Sequence, residues 1–194
     1  MRVRSRTKDN ERGAALVEAA ITAPLLFALI FGILEYAFIF RTYLTVGAMT
    51  NDGARAATAF GRDPLSDRDA IDLIRQAGSV VNEERIDYIV IYRAATPNAV
   101  PTGACQAGTP VTGECNVYRP SDWADEGAWT AKFGCDPTDL DRYYCPSSRL
   151  TTVDNLGFVG VYVQVEHEMV SGMFGETVGI EDAVVGRFEP DPPS

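Results

Sequence analysis

The chain has 194 residues, with 17 lysines and arginines against 27 aspartates and glutamates, for a formal charge of −10. That length suits one folded domain plus an appendage, and an apolar share of 46% with 10% aromatics excludes wholesale disorder. The charge is segregated: residues 1–12 carry five basic and two acidic groups, residues 13–40 carry only Glu18 and Glu35, and the remainder carries twelve basic and twenty-three acidic groups. So negative an outer region repels phosphate, which excludes nucleic acid as its partner.

The first element is a helix built for a bilayer. Residues 14–40 would extend about 40 Å at 1.5 Å per residue, more than a hydrocarbon core of about 30 Å. The sixteen residues between Glu18 and Glu35 are uncharged, so the two carboxylates fall near opposite faces of the membrane. Tyr36 and Tyr43 then lie at the outer boundary, where amphipathic rings are favoured. The basic cluster Arg2, Arg4, Arg6, Lys8 and Arg12 keeps the N-terminus in the cytoplasm and sends residues from about 41 onward outside. A cleavable secretory signal would have a shorter apolar region ending in a small-x-small site, so a retained anchor is the reading here. Pro24 removes one backbone donor from this helix and predicts a kink or loosened turn there, either merely tolerated or a point where the helix stretches when subunits pack.

Glu18 lies one turn inside the apolar run, where a carboxylate is costly unless it is interfacial or meets a cation. Cleavage after Gly13 would place a new α-amino group on Ala14, four residues from Glu18 on the same face. Between two staggered chains the glutamate of one would meet the amine of the other. Two unit charges about 4 Å apart at an effective dielectric of about 20 attract by about 4 kcal/mol before desolvation, which makes the pair a register device for assembly.

Arg12-Gly13, then Ala14-Ala15-Leu16-Val17-Glu18, an apolar helix with Pro24 and Leu25-Leu26, and the ending Phe31-Gly32-Ile33-Leu34-Glu35 resemble the TadE-like proteins. These are pseudopilins of the tight-adherence (Flp-type) branch of type IV pilus systems. The resemblance extends over about residues 11–60, including Gly53-Ala54-Arg55-Ala56-Ala57. Ala19 stands where processed members commonly carry an aromatic residue. The resemblance implies cleavage between Gly13 and Ala14 by a prepilin peptidase, Glu18 as the acidic residue five places beyond the cut, and a pilin-like architecture. It implies residence in the bacterial cytoplasmic membrane or in the pilus, with other pilin or pseudopilin subunits and the pilus assembly machinery as partners. The rival is a membrane-anchored extracytoplasmic binding module whose helix is only a tether.

Beyond Phe40 the chain stays helical but turns small and polar. Gly53, Ala57 and Gly61 recur every four residues, a spacing that admits a close-packed sheet, while Asn51-Asp52-Gly53 is a turn signal that predicts a break into two helices. Ser66 with Asp67 and Asp69 behind it predicts a capped helix start. Residues 86–93 are rich in β-branched and aromatic side chains and predict a strand. Residues 159–169 alternate, with Val161, Val163, Val165, His167 and Met169 on one face. A third strand is expected within 177–188, and the Pro-rich residues 190–194 read as a frayed tail. Helices first and strands later give an α+β fold with a small antiparallel sheet. The expected division is a basic leader over 1–13, the membrane helix and its extension over 14–61, and an extracytoplasmic domain over 62–194.

All four cysteines fall in a loop over 102–147. Cys105 and Cys115, like Cys135 and Cys145, are separated by nine residues, too far apart for the usual zinc pairs. Outside the membrane disulfides are expected. Of three pairings, Cys105 with Cys115 and Cys135 with Cys145 closes the shortest loops, with a nested arrangement as the alternative. The loop's aromatics, Trp123, Trp129, Phe133, Tyr143 and Tyr144, predict a satellite core beneath solvated acids. His167 reads as a core histidine. No phosphate-binding glycine loop, nucleophile elbow or metal motif is present, so no catalytic residue, metal or cofactor is expected.

Overall fold

A computed structural model describes residues 6–152, 154–172 and 175–190. Residues 1–5 of the expected leader and 191–194 of the expected tail lie outside the described residues. Helix α1 runs from Arg6 to Phe60, about 80 Å at 1.5 Å per residue. It is two structures in one. From Gly13 to about Leu34 its side chains are mostly exposed, including Leu16, Ile21, Leu25, Phe27 and Ile33. From Val46 onward it is amphipathic, burying Val46, Met49, Thr50, Ala54 and Ala57, the three-and-four spacing of a helix laid on a sheet.

The expected break at Asn51-Asp52-Gly53 does not occur, because packing holds the helix continuous there. A Cβ on Gly53 would lie 2.5 Å from Ile74 and 3.3 Å from Val161, so the glycine admits a second helix and a strand at once. Gly61 takes the left-handed φ of +50° and its N–H donates to the Ala57 carbonyl, closing α1. Helix α2 (Ser66–Ala77) packs back on α1 through Ala70, Ile71 and Ile74.

Strands β1 (Ile86–Ala94), β2 (Cys115–Tyr118), β5 (Phe158–Glu168) and β6 (Thr177–Arg187) form one antiparallel sheet in the order β2-β1-β5-β6. A two-residue hairpin, β3 (Thr151–Thr152) with β4 (Asn155–Leu156), precedes β5. The alternation sorts the strands' side chains. Ile89, Ile91, Val159, Val161, Val163 and Val165 meet α1 and α2, while Val90, Tyr92, Val117 and Tyr162 form a second cluster with Cys105 and Cys115. The segment between β1 and β2 covers that second face, with Tyr92 Oη donating to the Ala99 carbonyl at 2.7 Å and Tyr88 Oη to the Gln106 carbonyl at 2.6 Å. Burial, aided by the nearby Asp182 charge, pushes the Tyr92 phenol up to about 12. The fold is therefore α+β, a long apolar helix followed by a small antiparallel-sheet domain with two disulfides.

Two readings of the sequence need correction. Ser66 does not cap α2: Leu65 occupies the cap position, and the Ser66 hydroxyl is buried and accepts from Arg149 Nη1 at 3.2 Å. The loop aromatics are not a satellite. Trp123, Trp129, Phe133 and Tyr144 join the main core, with Trp129 edge-on to Phe133 at 4.6 Å. Nor are all the loop's acids solvated, since Asp139 and Asp141 are buried.

Candidate assembly and anchoring sites

The residues singled out in the sequence do not converge on one site. Gly13, Ala14, Glu18 and Pro24 lie along α1, and the cysteines lie in the sheet domain. Gly13, Ala14 and Glu18 are exposed, and a Cβ on Gly13 would meet nothing within 4 Å. The Glu18 carboxylate makes no ion pair among the described residues, while its backbone carbonyl accepts from Thr22 Oγ1 at 2.9 Å. Ala14 and Glu18 are one turn apart, about 6 Å along the axis. Pro24 sits inside α1 without ending it; the four residues on either side are all helical.

Glu35 behaves differently from Glu18. It is only 3% exposed, and its two carboxylate oxygens accept the backbone N–H groups of Val170, at 2.6 Å, and Ser171, at 3.1 Å. A buried carboxylate is tolerated when backbone donors satisfy it. Glu35 thus ties the start of the β5–β6 turn to α1 at the end of the bare apolar run. Sequence reasoning saw Glu35 only as the end of a span, because its partners lie 135 and 136 residues away. Just beyond it, Tyr36 and Phe40 stack with centroids 6.3 Å apart on the exposed side.

His167 follows Glu35 up the helix. Thr42 Oγ1 donates to the Phe38 carbonyl at 3.2 Å and lies 2.9 Å from His167 Nδ1. Nε2 is buried and has no partner among the described residues, and the ring is a bridge between β5 and α1. Among the described residues no group of three His, Cys, Asp or Glu side chains is placed to hold a metal ion.

The structure pairs Cys105 with Cys115 and Cys135 with Cys145, at Cα separations of 6.2 and 5.6 Å. Each bridge over a loop of this size contributes on the order of 2–3 kcal/mol. Cys135 has a left-handed φ of 68°, unfavourable for a side chain with a Cβ. The Asp141 carboxylate holds it there, accepting the N–H of Cys135 at 3.0 Å and of Gly134 at 3.2 Å. Burial raises the Asp141 carboxyl above its ordinary range, against the pull of those two donors.

The second bridge is joined to α2 through an ion pair that the sequence did not reveal. Asp67 and Arg149, both fully buried, pair through Oδ1 and Nη2. Asp67 Oδ2 also accepts from Tyr118 Oη at 2.6 Å and Asn116 Nδ2 at 3.0 Å. Asn116 completes the junction by accepting the N–H groups of Tyr143 and Tyr144 through Oδ1, and Arg149 lies 4.9 Å from the Tyr144 ring. Burial and the Asp67 charge together push the Tyr118 phenol well above its ordinary value. Burial pulls the Arg149 guanidinium down, but Asp67 more than offsets it, so the arginine stays charged.

These features define a class, an α+β domain carried on one long helix whose first half is bare and apolar. Among the described residues that helix alone is long and apolar enough to cross a membrane, as a single-pass anchor would be. The family model for TadE-like proteins matches residues 13–55, beginning at Gly13 and ending within the part of α1 that packs on the sheet. No curated protein and no solved structure matches the chain.

Proposed function

We propose that the chain is a pilus-associated structural component, a TadE-like pseudopilin of a tight-adherence (Flp-type) pilus or related secretion system, and not an enzyme. The observation that carries this reading is the family match over 13–55 on a helix whose Glu18 is exposed and unpaired among the described residues. The leader over 1–13 stays in the cytoplasm until a prepilin peptidase cuts after Gly13. The helix holds the chain in the bacterial cytoplasmic membrane, and the stapled domain lies outside. The freed Ala14 amine of one subunit then meets Glu18 of the next, a contact that fixes their stagger.

A helix exchange separates this from a tether. Residues 14–40 are replaced by an unrelated single-pass helix, keeping the domain membrane-bound at its normal level. Pilus assembly is expected to fail in the exchanged strain. Normal assembly would reduce the helix to a tether and overturn the proposal.

A further inference from the structure

The Glu35 clamp fixes the height of the outer domain along α1, and with it the height of a groove of about 420 Å³ immediately above. One wall is α1 from Phe38 to Thr45, another the turn between α2 and β1, and the third the end of β5. With Glu35 at the edge of the hydrocarbon, Phe38 lies about 4.5 Å and Arg41 about 9 Å beyond it. The headgroup region is about 5–8 Å thick on each side. The groove therefore begins at the headgroup layer with Phe38, and although the Arg41 backbone lies just above that layer, its side chain is long enough to span the difference to the phosphates.

Its lining holds two arginines, Arg41 and Arg85, and two carboxylates, Glu166 and Glu168, and the cation that faces the membrane side is Arg41 on α1. Arg41 is exposed and makes no ion pair among the described residues, whereas Arg85, on the opposite wall, is engaged by Glu168. Three apolar side chains remain open at the groove: Phe38 on α1 at 42% exposure, and Val80 at 60% and Val170 at 73% on the acidic outer domain. An unpaired guanidinium flanked by open apolar side chains fits an amphiphile with an anionic head.

The geometry points to a binding site for one membrane phospholipid, its phosphodiester on Arg41 and its glycerol and upper acyl carbons against Phe38, Val80 and Val170. The inference rests on the proposed single-pass orientation, with the outer domain seated on the outer leaflet. A lipid held there would fill the space between domain and bilayer and steady the domain on its helix.

The test uses the full chain in vesicles of phosphatidylethanolamine and phosphatidylglycerol. Carbonate extraction comes first: release of the wild-type chain overturns the membrane reading itself. For chain that stays in the bilayer, gentle detergent release and native mass spectrometry should show one retained phospholipid. Arg41→Gln is expected to lower its occupancy about five- to tenfold, the loss of one charge-assisted contact, and Val170→Asp to lower it independently. Arg62→Gln, away from the groove, should leave it unchanged. Equal retention in all four proteins, or displacement of the lipid by millimolar inorganic phosphate, would overturn the site while leaving the anchor intact.

Discussion

Asp67→Ala is expected to destabilise the outer domain by about 3–5 kcal/mol, the usual cost of leaving one member of a buried ion pair alone. Arg149 would lose the only counter-ion it has among the described residues, in a region where both side chains are inaccessible to water, and Tyr118 and Asn116 would each lose an acceptor. For a domain of this size such a loss lowers the melting temperature by roughly 10 °C or more. The effect should be strongly non-additive. Arg149→Met made together with Asp67→Asn leaves no buried charge behind, so the double variant should cost less than the sum of the single ones. Thermal unfolding of the detergent-solubilised chain checks both, and a melting shift of only a degree or two for Asp67→Ala would contradict the role assigned to the pair.

Glu18→Ala is expected to act on assembly and leave folding untouched. Its side chain is exposed and makes no ion pair among the described residues, so insertion and protein level should match the wild type. The subunit register should fail, because the attraction of about 4 kcal/mol before desolvation disappears at every contact. Even 1.4 kcal/mol of net loss per contact is tenfold in an equilibrium constant. Glu18→Gln, which keeps shape and hydrogen bonding but removes the charge, should fail nearly as badly. Surface pili counted by electron microscopy in a strain carrying the variant as its sole copy give the answer. Normal piliation with either substitution would remove the electrostatic role.

What could be read from the sequence was what neighbouring residues dictate. The apolar length of α1, the alternation of β5 and the β-branched run of β1 are local signals, and they locate the helix and the long strands. Distant partners were not legible. Nothing near Ser66 announces Arg149, 83 residues on, so a hydroxyl at a helix start read as a cap. Glu35 read as the end of a span because the two N–H groups it accepts lie 135 and 136 residues away, just past the end of β5. The turn signal at Asn51-Asp52-Gly53 failed for a related reason: the glycine is needed for room beside Ile74 and Val161, a packing demand that local turn chemistry does not contain. Strand β2 was hidden in the cysteine loop, since four residues between turn-rich segments carry too short a pattern to stand out.

Of the candidate site, the placement of Gly13 and Glu18 on one exposed stretch of helix was legible, because it follows from spacing along that helix. The groove beside Arg41 was not, because it is assembled from α1, the turn after α2 and the end of β5. Its position along α1 depends on the Glu35 clamp, itself a long-range contact.

In the proposed assembly the mature subunit begins at Ala14 and offers its amine to Glu18 of a neighbour. The intact mass of the polypeptide purified from bacterial membranes tests it most directly. A mass corresponding to residues 14–194 is the predicted result. A polypeptide that still carries Met1 and the arginine-rich residues after it, or one cut near residue 45, would contradict it.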